Sequence, residues 1–274
     1  MRLVEEREPC MQPSFLMCSP EYFEVAYEIN PWMSLERKVH RDQAMKQWQA
    51  YYELLTGKLG VRVELLKPVS GLPDLVFTAN GGIARGRLFI RGNFRHKERQ
   101  GEEAHYEAWF RTHKYDVKIL DRALCFEGEG DALFQGDNLY TGFQFRSDVE
   151  AHDRVAGYLR ADYHALELCD KRFYHLDTCF APLNEKTALV FFEAFEAYAQ
   201  IVLWENVPDP IVVPEEEAVR FACNAVSADS WVVIPDGCPK TAAELEKRGY
   251  DVYSLDFSEF MKAGGAAKCL ALRL

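Results

Sequence analysis

The chain has 274 residues, 48% of them hydrophobic and 27% charged, enough to bury a full core as an ordinary soluble globular protein. A formal net charge of -11 argues against a nucleic-acid footprint, which needs clustered Lys and Arg. No run is long and apolar enough to span a membrane, and the start, Met1–Glu8, lacks the apolar segment of a signal peptide. Eight cysteines without a Cys-x-x-Cys pair make a disulfide scaffold, zinc ribbon or thioredoxin-like site a poor reading, so a reducing cytoplasm with free thiols is the default.

Taken in chain order, Phe15-Leu16-Met17-Cys18 reads as a strand, Leu35–Gly57 as a helix and Val61–Leu65 as a second strand. The next segment opens at Phe77, turns at Gly86 before Leu88-Phe89-Ile90, and continues into an amphipathic helix over Arg99–Thr112 and a strand at Val117–Leu120. A further unit opens at Phe126, with a helix over Asp148–Leu159 and a strand over Tyr163–Leu168. Others open at Leu176 and Asn224. Thr241–Arg248 reads as a helix with Thr241 as its cap, Glu244 completing a capping box and Gly249 stopping it, followed by strand Tyr250–Leu255. The last opener is Cys269, read as lying on a terminal strand that pairs beside the N-terminal one.

The openers at 77, 126, 176, 224 and 269 recur every 45 to 50 residues, a period that invites a propeller or solenoid. The fifth unit is split between the two ends of the chain, so the ring closes as five ββαβ-like units. An ordinary α/β sheet with coincidental spacing is the plainer alternative. No linker or low-complexity run interrupts residues 1–274, which read as one domain.

Cys269 ends a glycine-rich approach, Gly264-Gly265-Ala266-Ala267-Lys268, and His175 lies far upstream. A thiol with a distant imidazole and carboxylates is the material of nucleophilic catalysis, although a buried core cysteine fits the same residues. The openers carry acids: Asp74, Glu127 and Asp131, and Asp177. Anions around a thiol raise its pKa and make it a poor nucleophile, unless a cation fills the site. A planar guanidinium suits paired carboxylates. Mg²⁺ or Ca²⁺ would suit the acids but not the thiol and imidazole, so neither a metal nor another cofactor is expected. Each residue also has a structural reading: His175 as a core histidine, Glu127 and Asp131 as turn formers, Arg146 with Asp148 as a strand end, and Arg99 with Glu102 or Glu103 as a helical surface pair.

On PDLVFTANGG (73–82), FEGEGDALF (126–134), GFQFRSD (142–148), HLDTCF (175–180) and GGAAKCLAL (264–272), the chain resembles the guanidino-group modifying superfamily. That superfamily includes arginine deiminases, dimethylarginine dimethylaminohydrolases, arginine dihydrolases and amidinotransferases. FLMCSP, INPWM and NFRHKERQGEE (93–103) look most like its dihydrolase and amidinotransferase-like branch. The resemblance implies a five-bladed α/β propeller (pentein) with pseudo-fivefold symmetry. It implies Cys269 as nucleophile, His175 as general acid/base and Glu127 as the acid that orients the imidazole. Asp177 and Asp74 match substrate-side acids, and Arg146 with Arg99, or alternatively Arg95, match groups binding an amino-acid carboxylate. Asn80 stands where deiminases and dimethylarginine hydrolases carry an acid, as in arginine dihydrolases.

The expected activity is therefore hydrolysis of a guanidine C–N bond of arginine or a methylated arginine through an amidino-cysteine. The rival readings are an amidinotransferase and a non-catalytic arginine-binding module. The expected partner is a small cationic guanidino compound, with no nucleic acid or membrane, and a homo-oligomer stays open.

Overall fold

The computed structural model describes residues 13–274; the charged start over residues 1–8 lies outside them. Among the described residues the strands form five three-stranded sheets. β1 (Ser14–Cys18) pairs in parallel with β2 (Arg62–Leu66). The second sheet holds β3 (Gly82–Arg85), β4 (Leu88–Arg91) and β5 (Asp116–Lys118), and the third β6 (Ala132–Gln135), β7 (Asn138–Phe143) and β8 (Tyr163–Glu167). The fourth holds β9 (Phe180–Pro182), β10 (Thr187–Val190) and β11 (Asp209–Val212), and the fifth β12 (Val226–Ala228), β13 (Trp231–Pro235) and β14 (Asp251–Leu255). β15 (Leu272–Arg273) returns to β1, with Phe15 opposite Arg273 and Leu16 opposite Leu272.

One pattern repeats in every sheet. The middle strand pairs antiparallel with one neighbour and parallel with the other. In four sheets the antiparallel partner comes first, through a hairpin, and the parallel partner follows a helical crossover, as parallel pairing requires. In the first sheet the antiparallel partner is β15, from the far end of the chain. The β3–β4 and β6–β7 hairpins turn at Gly86 and Gly136, both with φ +60°, where a left-handed backbone removes any side-chain penalty only for glycine.

Middle strands are apolar on both faces: Leu139 and Tyr140, Ala188 to Val190 and Val232 to Ile234 are all fully buried. Helices Glu103–Thr112, Val149–Leu159, Ala197–Asn206 and Pro239–Lys247 connect the middle and last strands, covering the sheets from outside with Tyr106 and Phe110, Val155, Leu203 and Leu245.

Tertiary contacts shift three elements away from the sequence reading. The first helix starts at Arg41 rather than Leu35, because the preceding residues are tied elsewhere: Trp32 Nε1 donates to the Arg172 carbonyl at 2.7 Å and the His40 N–H to Glu259 at 2.8 Å. The helix expected from Arg99 is a 3₁₀ turn over Gln100–Glu102 before the α-helix begins at Glu103. Thr241 is not a cap. The helix begins at Pro239, and Glu217 from the preceding segment accepts the N–H groups of Lys240 and Thr241, each at 2.7 Å, and the Thr241 hydroxyl at 2.6 Å.

Glu217 thus supplies a charged acceptor to helix donors that would otherwise go unpaired. Glu217→Ala should lower stability by about 2–3 kcal/mol, read as a lower urea midpoint, with the native circular dichroism spectrum at 25 °C unchanged.

Candidate active site

The chemistry-bearing residues sit in the turns that lead into the first strand of each hairpin. Asn80 precedes β3, Glu127 precedes β6, Asp177 precedes β9, Asn224 precedes β12 and Cys269 precedes β15. Short 3₁₀ turns at Thr78–Gly81, Gly128–Gly130 and Leu176–Thr178 hold three of these positions. Cys269 is therefore in a turn, not on the terminal strand expected from sequence. The turn is pinned by its own carbonyl, which accepts the Ala79 N–H at 3.1 Å. Glycine at 130 is required by packing: a Cβ there would lie 2.5 Å from Asn80 Nδ2 and 3.2 Å from the His175 ring.

Cys269 is buried, and its Sγ lies 3.1 Å from Asp177 Oδ2 and 3.1 Å from Asn224 Nδ2. Burial pushes the thiol well above its ordinary pKa, and the Asp177 carboxylate pushes it further. Burial likewise raises Asp177, to about 6, against the opposing hydrogen bonds from Cys269 and Asn224 and the charge of Lys268. Lys268 itself turns away from the thiol, donating to Glu129 at 2.6 Å and to the Ala271 carbonyl.

His175 Nε2 meets Glu127 Oε2 at 2.8 Å, and Arg146 Nη1 donates to the same oxygen at 3.0 Å. All three side chains are buried. Burial alone would raise Glu127, but Arg146, His175 and Arg99 outweigh it and hold the carboxyl below its usual range. A carboxylate accepts, so His175 carries its proton on Nε2 and leaves Nδ1 as a free lone pair. Burial lowers the imidazole to about 4; the Glu127 contact opposes this, and Arg146 and Arg99 reinforce it.

Asp74, Asn80, Arg99, Arg146, Tyr174 and Cys269 line one tight cavity together with Ile29, Asn30 and Met33. Arg99 donates through Nε and Nη2 to both oxygens of Glu102, at 2.8 and 2.9 Å, and through Nη1 to Asn80 Oδ1 at 2.8 Å. This pair is buried, not the exposed helical pair considered from sequence. Of the two arginines the sequence left open, Arg99 lines the cavity, whereas Arg95 pairs with Asp148 and stands partly exposed. Asp131 is buried but points away, bonding the Ser147 hydroxyl at 2.6 Å and the Leu176 N–H at 3.1 Å. A larger cavity lined by Ile83, Leu133, Phe180, Val226, Glu129 and Lys268 includes neither Cys269 nor His175.

Four buried polar atoms of these residues have no hydrogen-bond partner: Asp74 Oδ1, Asp177 Oδ1, Asn80 Nδ2 and His175 Nδ1. Sequence reasoning passed over Tyr27, whose hydroxyl donates to Asp74 at 2.9 Å and whose local spacing marks nothing. Glu102 was paired with Arg99 by its i,i+3 spacing, but as a surface pair. Asn224 did carry a signal, as the opener of a repeat unit.

Residues 20–274 match the family described as N,N dimethylarginine dimethylhydrolase, eukaryotic. The chain belongs to this family. It is 38% identical over 260 residues to the N(G),N(G)-dimethylarginine dimethylaminohydrolase of Mycobacterium tuberculosis, covering 95% of this chain and 85% of that one. It is 43% identical over 266 residues to the bifunctional arginine dihydrolase/ornithine cyclodeaminase ArgZ of Synechocystis, covering 94% of this chain and 37% of that protein. The chain thus spans little more than a third of the bifunctional relatives. The solved N-terminal domain of ArgZ, a cysteine-to-serine variant bound to substrate, matches with a TM-score of 0.92 at 41% identity, over 96% of this chain and 98% of that domain. The superfamily resemblance and the α/β fold both hold in this family member. Among its described residues no helix is long and apolar enough to cross a membrane.

The His175 environment makes a direct prediction. At pH 6, where a free imidazole with a pKa of about 6.5 is mostly charged, ¹⁵N NMR should report His175 neutral with its proton on Nε2. A charged ring at that pH would contradict the arrangement.

Proposed function

We propose that the chain is a thiol-dependent hydrolase that cleaves a guanidine C–N bond of arginine or an N-methylated arginine through a covalent amidino-cysteine. The observation that carries this reading is the set of unpartnered buried atoms beside the Cys269 thiol. Leaving such atoms unpaired costs about 1–3 kcal/mol each, and the two carboxylate oxygens among them are acceptors suited to the N–H groups of a guanidinium. The covalent reaction intermediate reported for the N-terminal domain of ArgZ supports the same chemistry.

In this reading the guanidinium lies among Asp177, Asp74 and Glu127, with Asn80 at the edge. Its positive charge offsets the carboxylates and lowers the cost of ionising Cys269. The thiolate attacks the guanidine carbon. The lone pair on His175 Nδ1 takes up the proton that Cys269 releases and passes it to the departing amine, which is otherwise too basic to leave, and an amidino-cysteine remains. His175 then takes a proton from a water that attacks the same carbon, and the sulfur departs as thiolate. If ammonia leaves first, arginine becomes citrulline.

Asn80 favours a second round. Arg99 fixes its Oδ1, leaving the Nδ2 donor unpartnered near His175. A guanidinium offers only donors, whereas a ureido group offers a carbonyl that this donor can meet. Hydrolysis of the ureido product would give ornithine, ammonia and carbon dioxide. Arg99 and Arg146 take the substrate carboxylate. The five sheets are read as the blades of one five-bladed α/β propeller, a pentein, with residues 1–274 forming a single catalytic domain.

Incubation with L-arginine and, separately, with asymmetric dimethylarginine should release citrulline or ornithine, identified by mass spectrometry. Cys269→Ser should cut turnover on the order of 10⁴-fold or more while keeping the native circular dichroism spectrum. A folded Cys269→Ser protein with normal turnover would sink the mechanism. Transfer seen only when an acceptor amine is added would move the chain to the amidinotransferases, and arginine binding without turnover would make it a binding module.

A further inference from the structure

Asn224 is fully buried and gathers contacts from three segments of the chain. Its Oδ1 accepts the backbone N–H groups of Ala266, at 3.0 Å, and Cys269, at 3.2 Å. Its Nδ2 donates to the Asp177 carbonyl at 3.0 Å and to Cys269 Sγ at 3.1 Å. Its own carbonyl accepts the Lys268 N–H at 3.2 Å, and its N–H bonds the Phe221 carbonyl at 2.8 Å. The amide cannot be reversed without setting an NH₂ group against two N–H donors and an oxygen against a carbonyl. The face presented to the sulfur is therefore always the donor.

Burial and Asp177 work against ionisation of the thiol, and apart from Asn224 only the Ala266 backbone favours it. Asp177 Oδ2, the other polar atom on Sγ, is an anion that stabilises S–H over S⁻. Asp74, Arg99, Arg146 and Tyr174 line the same cavity, and His175 lies two residues before Asp177, but no hydrogen bond from any of them reaches the sulfur. Lys268 is adjacent in sequence and committed to Glu129. Among the described residues no side chain other than Asn224 donates a hydrogen bond to Sγ.

We infer that Asn224 is a catalytic residue that stabilises the Cys269 thiolate by hydrogen bonding and, through the two N–H groups of the 266–269 turn, fixes where that sulfur stands. The inference rests on reading Cys269 as the nucleophile. A hydrogen bond to the charged form lowers the cost of making it, and the donor is in place before any substrate arrives. The division of labour is then explicit. The substrate cation answers the charge of Asp177, and Asn224 answers the charge developing on sulfur. Both acceptor contacts from Ala266 and Cys269 also keep the turn from relaxing when the sulfur forms a bond to carbon.

The test follows alkylation of Cys269 by iodoacetamide from pH 6 to 10, read on the Cys269 peptide by mass spectrometry so that Cys125 and Cys169 do not interfere. Asn224→Asp keeps the shape and both acceptor contacts but removes the donor. Asn224→Ser is neutral and too short to replace the amide at both ends. The midpoint should move upward by about one pH unit or more in each variant, a tenfold or larger loss of thiolate at a fixed lower pH. Turnover should fall mainly in kcat, with KM little changed.

If either variant fails to fold, the other decides. Folded variants that retain the wild-type alkylation midpoint overturn the inference, even if they are less stable. The underlying reading fails separately. An active Cys269→Ser protein removes the nucleophile whatever Asn224 does, whereas an inactive Cys269→Ser protein with unshifted Asn224 variants removes only the role of Asn224.

Discussion

Glu127 can be buried as an anion only because a cation and a neutral N–H donor meet it. Arg146 and His175 both bind its Oε2 oxygen, and all three side chains are withdrawn from solvent. An ion left alone in such a place costs several kcal/mol, and removing one member of a buried pair is typically worse than replacing both. The same constraint runs through the cavity. Arg99 neutralises Glu102 and lies 3.9 Å from Asp74. Arg99 and Arg146, with the nearby charge of Lys268, answer the carboxylates of Asp74, Glu102, Glu127 and Asp177. Burial still pushes Glu102 up to about 7 and Asp177 up to about 6. Asp74 Oδ1 and Asp177 Oδ1 remain without hydrogen-bond partners.

The fold delivers these groups by repetition. In four sheets a turn leads into the hairpin and carries a polar side chain, Asn80, Glu127, Asp177 or Asn224, and the turn before β15 carries the thiol. Because the turns are tied to strands whose middle members are fully buried, the side chains ride on rigid supports, which suits geometry that must hold to a fraction of an ångström. The N-terminal loop over residues 19–40 adds the remaining wall. Asn30 Nδ2 donates to the Ala263 carbonyl, and Tyr174 reaches the Gly264 carbonyl, so the glycine approach to Cys269 is gripped from two sides.

Much of this was legible in the chain. Openers recurring at a near-constant interval marked the five sheets; of the residues singled out there, Asp74 and Cys269 line one cavity, Asp177 meets the Cys269 sulfur, and Glu127 meets His175. What escaped notice depends on contacts between distant segments. Thr241 and Glu244 have the spacing of a capping box, but Glu217 occupies the cap from another segment. Leu35 looks helical by pattern, yet its neighbours are held by Arg172 and Glu259. Lys268 and Cys269 looked like alternating strand residues because the last turn cannot be told from a short strand by composition. Glu102 and Tyr27 are ordinary surface residue types, and only burial reveals their work. Asn224 stood at an opener position, but an amide announces no chemistry until a sulfur is found beside it.

The split first sheet has a kinetic consequence. β15 reaches β1 across nearly the whole chain; Ser14 and Leu274 bond each other at a separation of 260 residues. Contacts of such range are entropically expensive to close and form late in a search dominated by nearer partners. Cys269 stands three residues before that last strand, so its surroundings are completed by the seam that joins the chain's two ends. The burial of the thiol and its contacts with Asp177 and Asn224 are thus set by pairings made late, between segments far apart in the sequence.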